Sequence, residues 1–213
     1  MHERPESANL RWHEPRMLPF VGFGLVLSMV ASIPIQTAGF FFMDVLKKTP
    51  YATAQFTSIG LTLSALAALF GQFVIVQRSG LSSRTLTAAG LIVAAFSNAL
   101  FLMPLNVGVI LFALLLSGLG FGLARPGFTT GASLSVEPHE QGAVAGLLNA
   151  AGAAGFIFGP LLGWLYEISP FIPYVLGTAM MLGLLAAQYL SPVLRHSGDL
   201  PAAEAQGVPL AGG

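Results

Sequence analysis

Among the polar side chains inside otherwise apolar runs of this sequence are Gln36, Asn98, Arg125 and Asn149, and each is of a type that binds rather than reacts. Amide and guanidinium groups donate and accept hydrogen bonds but supply neither a nucleophile nor a base near neutral pH. The groups that catalysis would need lie elsewhere. His2, His13, His139 and His196 all fall outside the apolar runs, so no Ser-His pair or helix-borne metal site forms within them. With no cysteine, a thiolate nucleophile, a thiolate metal site and a disulfide scaffold are excluded. Asp44 and Glu167 come at the ends of runs, and Glu137 and Glu140 between them, so no carboxylate able to carry a proton sits inside one. The expected chemistry is non-covalent recognition of a small molecule: no enzyme, no cofactor and no metal.

Arg125 admits two readings. Buried at membrane depth it would cost about 2.5 kcal/mol or more and mark a substrate or ion path, whereas at the end of its run it would reach outward to headgroups. Asn98 and Asn149 either bond across helices, the favoured reading, or touch a ligand. Gln36, followed by Phe40, Phe41 and Phe42, offers a polar anchor beside an aromatic wall, although phenylalanines facing lipid would read the same. The substrate-binding candidates are therefore Gln36, Phe40, Arg125 and Asn149. Gln188 and Tyr189 suit an interfacial position and need no functional role.

Six apolar runs must position these groups, at residues 17–43, 52–76, 84–103, 107–131, 142–166 and 171–191. A hydrocarbon core about 30 Å thick needs roughly 20 helical residues, and every run supplies them. A composition that is 54% hydrophobic and 8% charged exceeds what a soluble domain of 213 residues can bury. An all-α, multi-pass membrane protein in contact with the lipid bilayer is predicted. The nine Lys and Arg are too scattered to neutralise a phosphate backbone, which excludes a nucleic-acid partner. Arg4, Arg11, Arg16, Arg78, Arg84 and Arg195, with Arg125 near the edge, fall on one face and only Lys47 and Lys48 on the other. The positive-inside rule then puts both termini in the cytoplasm of a cell membrane, plasma or inner. Residues 1–16 show no cleavable signal peptide and are read as a cytoplasmic segment, 17–191 as the membrane domain, and 192–213 as a disordered cytoplasmic tail.

Six runs divide as three plus three, and an odd triplet makes the second enter from the opposite side, as in an inverted-topology repeat. Pro34 in the first run and Pro126 in the fourth occupy corresponding places, which points either to broken helices lining a cavity or to simple kinks. Gln36 and Arg125 beside these prolines favour the cavity.

The stretch Glu140-Gln141-Gly142-Ala143-Val144-Ala145-Gly146-Leu147, running into Gly155-x3-Gly159-Pro160-x2-Gly163, resembles the tenth-loop to eleventh-helix region of major facilitator superfamily transporters, most closely their drug:proton antiporter branch. Gly118, Gly120, Gly122 and Pro126 supply the glycine-rich pattern of the preceding helix. Gly155, Gly159 and Gly163 recur on one helix face, where a neighbour can approach closely, and Pro160 bends the helix. The antiporter motif belongs to the family's fifth helix, and this copy resembles its counterpart in the C-terminal half, so it implies packing and gating more safely than antiport. Gln77-Arg78-Ser79-Gly80 resembles the family's cytoplasmic Asp-Arg-x-Gly loop. Arg78 and Gly80 match, but Gln77 replaces the Asp, and Phe73 and Leu81 replace a Gly and an Arg, so only the location carries over. A basic loop obeying the positive-inside rule reads equally well.

The resemblance implies half of a major facilitator fold, spans seven to twelve of twelve, contributing one wall of an alternating-access cavity. It implies efflux of a small apolar or amphipathic molecule and a second six-helix half, from another copy or a separate chain. The alternative is a non-transporting membrane subunit or a truncated remnant.

Overall fold

A computed structural model describes residues 17–103, 106–191 and 194; the readings of Arg4, Arg11, Arg16, Arg195, the N-terminal segment and the tail lie outside them. The described chain forms six long helices: α1 Leu18–Val45, α2 Pro50–Arg78, α3 Ser83–Leu100, α4 Val107–Leu134, α5 Gln141–Ile168 and α6 Ile172–Leu190. Side chains cap three of their starts, Thr49 accepting from the Ala52 N–H, Ser82 from Thr85 and Asn106 from Val109. Pro50 stands in the first turn of α2, where its missing donor costs nothing. Two segments widen into π-helix, Phe41–Val45 ending α1 and Gly71–Ile75 within α2.

Five of the six helices are long and apolar enough to cross a membrane. The exception, α3, carries Ser83, Arg84, Thr85, Thr87, Ser97 and Asn98 in its 18 residues, so of the six runs expected to cross a bilayer five are matched by helices of that length and apolarity. Towards its C-terminal end the polar side chains are satisfied internally: Ser97 donates to the Ala113 carbonyl of α4 (2.7 Å) and Asn98 Nδ2 to Ala94 (2.9 Å). Asn98 is buried, but its bond to Ala94 stays within α3, so the expected bond across helices is not what forms.

Lipid tails are as apolar as leucine, so helices in a bilayer associate through close packing and hydrogen bonds rather than through escape from water. Glycine supplies the close packing here. Along α4, Gly118 and Gly122 meet the backbone of α2 at Ser64 and Ala68, while Gly120 meets α3, where a Cβ would stand 2.7 Å from the Ala94 nitrogen. On α5, Gly155 and Gly159 face α1 at Leu25, Ser28 and Ser32. The most extensive pairings are therefore α3 with α4, α1 with α5 and α2 with α4, followed by α3 with α6. Large apolar side chains such as Leu66, Phe70, Phe73, Ile157 and Trp164 point outward, as a lipid-facing surface permits.

Residues 18–39 of α1 and 108–129 of α4 pass through the same succession of exposed, half-buried and buried positions, one for one. That register sets Ile35 against Arg125 and Gln36 against Pro126, so Pro34 and Pro126 are two residues out of step.

Phe41 and Phe42 are fully buried and belong to the core; an aromatic substrate wall over Phe40, Phe41 and Phe42 is not what forms, since only Phe40 is exposed. The π-helical turn rotates Phe41 inward, where it meets Phe101, Tyr166, Phe171 and Tyr174 edge-on. Tyr174 stacks on Phe101 at 4.0 Å and is itself fully buried. Thr37 donates its one hydroxyl proton to the Ile33 carbonyl (2.7 Å), so the Tyr174 hydroxyl is the donor in their 2.7 Å contact. Tyr174→Phe should remove that bond and leave Thr37 paired, a loss of about 1 kcal/mol, or roughly 2–4 °C in the melting temperature in detergent. An unchanged melting temperature would show that the bond does not contribute.

Candidate functional site

The middle of α4 brings Arg125 to a junction of helices. Pro126 cannot donate to the carbonyl four residues before it, and Thr129 Oγ1 turns back to the carbonyls of Arg125 (3.0 Å) and Pro126 (3.2 Å). The helix nevertheless continues to Leu134. Arg125 precedes that end by nine residues (134 − 125), about 13 Å at 1.5 Å per residue, which places it more than two turns inside the helix.

Its side chain is exposed and borders two cavities. The first, about 400 Å3, lies between α1, α2 and α4 and is mostly apolar, with Leu27, Pro34, Leu61, Leu114, Phe121 and Phe156 around Ser28, Ser64 and Ser117. The second, about 360 Å3, lies between α4 and α5 with Gln72 of α2, and is richer in hydrogen-bonding groups: Thr129, Thr130, Ser133 and Asn149 beside Pro126. Gly152 of α5 lies beside the guanidinium, a Cβ there standing 3.7 Å from Nη2, an ordinary contact distance. Among the described residues Arg125 makes no ion pair. A fixed positive charge, hydroxyls and an amide thus border one chamber while apolar walls line the other, an arrangement suited to a molecule with a polar and an apolar end.

The structure divides the expected set. Arg125 and Asn149 share the polar chamber, and Pro34 and Pro126 each border one of the two. Gln36 instead packs at the crossing of α1 and α5: a Cβ on Gly159 would fall 2.6 Å from its Nε2, and one on Gly163 3.6 Å from its Oε1. Phe40 lies towards the far end of α1, 5.8 Å from the Tyr166 ring, in a separate pocket of about 400 Å3 with Asp44, Gly163, Glu167 and Pro170. Gly155 and Gly159 are buried against α1, Gly163 is half-buried and Pro160 is exposed. Arg78 is exposed at the end of α2, and Gly80 turns the chain with φ +58°, a left-handed conformation that glycine adopts without strain. Gln188 is buried and donates to the Arg84 carbonyl (2.7 Å), so its reading as a merely interfacial residue is corrected.

Thr129 and Ser133 lie at i+4 and i+8 from Arg125, on one face of α4. That spacing was a usable signal in the sequence. Ser28, Ser64 and Gln72 had none, because only the packing of α1 and α2 against α4 brings them to Arg125.

Comparison with known proteins adds three findings. Residues 4–160 match the family model for the Major Facilitator Superfamily. Quinolone resistance protein NorA of Staphylococcus aureus (strain MRSA252) is 29% identical over 159 residues, covering 69% of this chain and 40% of that protein, and the Mu50 form is 28% identical over the same length. The chain thus matches well under half the length of these curated relatives. Two crystal structures of a mutant peptide transporter POT share the fold: one has a TM-score of 0.66 at 16% identity, covering 80% of this chain and 37% of that one. The other, in complex with alafosfalin, has a TM-score of 0.68 at 15% identity, covering 86% and 40%.

Proposed function

Because the chain belongs to the Major Facilitator Superfamily, we propose that it is one six-helix half of an alternating-access secondary transporter that exports small apolar or amphipathic molecules. The observation that carries this reading is Arg125, a cation without an ion pair among the described residues, more than two turns inside a helix and bordering a polar and an apolar chamber. An intramembrane cation in such a place marks a substrate or ion path. Arg125 and Asn149 hold the polar end of the substrate, and the chamber beside Pro34 and Phe156 takes the apolar end. That these relatives are quinolone resistance proteins supports efflux. Gln36, at the crossing of α1 and α5, and Phe40, in the separate pocket further along α1, meet the substrate at another stage of its passage, and Gly155, Gly159 and Gly163, with Pro160 bending α5, let α1 and α5 shift against each other.

A 3+3 inverted repeat is supported by the matching burial of α1 and α4 and by the reciprocal pairings α1 with α5 and α4 with α2. The pairing of α3 with α4 is closer than that of α6 with α1, so the repeat is imperfect. A second six-helix half, a copy of this chain or a separate one, completes the cavity. The membrane is the cell membrane, plasma or inner, with the 79–82 and 135–140 loops and Arg78 and Gly80 on the cytoplasmic side.

The test is energy-dependent efflux of a fluorescent lipophilic cation from cells expressing the chain alone, or with a separately encoded N-terminal half, against empty vector. Efflux by the chain alone is expected if copies pair, and efflux only on co-expression if the halves are distinct. Membrane-inserted protein with no efflux in either arm favours a non-transporting subunit or remnant.

A further inference from the structure

Where α3 begins, three buried polar atoms have no hydrogen-bond partner among the described residues: Ser83 Oγ, Arg84 Nε and Gln188 Oε1. All three residues border one small cavity of about 20 Å3, walled by Phe20 and Phe23 of α1 and Phe128 of α4. Ser83 and Gln188 are 1% and 4% exposed, so bulk water does not serve them. A desolvated polar atom without a partner is disfavoured, and three on residues that border one space point to a ligand that satisfies them together.

The atoms specify what it is. Arg84 Nε is a donor only, Gln188 Oε1 an acceptor only, and a serine hydroxyl can be either. The amide orientation is fixed, because Gln188 Nε2 donates to the Arg84 carbonyl at 2.7 Å and a flip would set oxygen against oxygen. An anion would meet the Gln188 oxygen and a cation the guanidinium, so both are disfavoured. Water accepts and donates at once, and a cavity of roughly 10–15 Å3 suffices for one molecule.

We infer that a single resident water occupies this cavity, accepting from Arg84 Nε, donating to Gln188 Oε1 and bonding Ser83 Oγ. Gln188 of α6 is then tied to Arg84 of α3 twice, directly at the carbonyl and through water at the guanidinium, which also lies over the Tyr189 ring at 4.6 Å. This hydrated joint makes α3 and α6 move as one unit, and it holds whether or not the chain transports anything.

X-ray radiolysis of the full chain in H2(18)O, read by mass spectrometry, tests it. Hydroxyl radicals formed from an internal water label side chains next to it, and Phe20 and Phe23, 2% and 3% exposed, are otherwise shielded. Expected is 18O incorporation at both rings in the wild type and a several-fold loss in Gln188→Met, which fills the space with an apolar side chain of similar length. Ser83→Ala, which removes one of the three partners, reports the same loss should Gln188→Met not fold. No labelling of Phe20 and Phe23 in the wild type, or labelling unchanged in the variants, overturns the inference.

Discussion

Gly118→Leu is expected to abolish recovery of folded protein. A Cβ at Gly118 would land on the backbone carbonyl of Ser64, and one at Gly122, a turn further along α4, would stand 2.5 Å from the Ala68 oxygen. Main chain cannot step aside as a flexible side chain can, so α2 would have to leave α4. Overpacking a core that yields costs about 1–3 kcal/mol, and this contact cannot yield. The loss approaches the 5–15 kcal/mol of a typical domain, with no hydrophobic gain in lipid to offset it. Gly183→Leu is the control, since nothing lies within 4 Å of its Cβ direction. Leucine outranks glycine by about 1 kcal/mol in helix propensity, so Gly183→Leu should melt at or slightly above the wild type. Monodisperse yield by fluorescence-detected size exclusion, with melting in detergent, reads both. A Gly118→Leu protein that melts like the wild type would refute backbone contact between α2 and α4.

Arg125→Ala should lower transport, or substrate affinity of the assembled transporter, by roughly 10- to 100-fold, the worth of a hydrogen bond to a charged group at about 1.5–3 kcal/mol. The guanidinium makes no ion pair among the described residues, so its removal leaves no orphaned carboxylate in this half. The variant should therefore keep its wild-type melting temperature or gain slightly, because a charge is costly inside a membrane. That split between function and stability separates a substrate contact from a structural residue. Arg125→Lys retains the charge but not the planar fork and should recover part of the loss. If Arg125→Ala lowers stability and leaves uptake and efflux untouched, the proposed role fails.

The class of this protein was written in composition. Apolar runs long enough to span a bilayer can only be helices, because every backbone polar group must be satisfied within the segment. Helix ends followed from local chemistry, with Thr49, Ser82 and Asn106 as caps and Gly80 in a left-handed turn. The four-residue recurrence of Gly155 and Gly159 announced a close neighbour, since spacing along one helix sets which residues share a face. Which neighbour it would be, α1, was not written there. Nor was the fate of the polar residues: Gln36 packs on Gly159, Gln188 joins α6 to α3, and Arg125 alone among the embedded cation and amides borders both chambers. Local sequence fixes periodicity and propensity, which act within a turn or two of helix. Burial and encounter depend on residues more than a hundred positions apart, such as Thr37 and Tyr174, and only the packed bundle decides them.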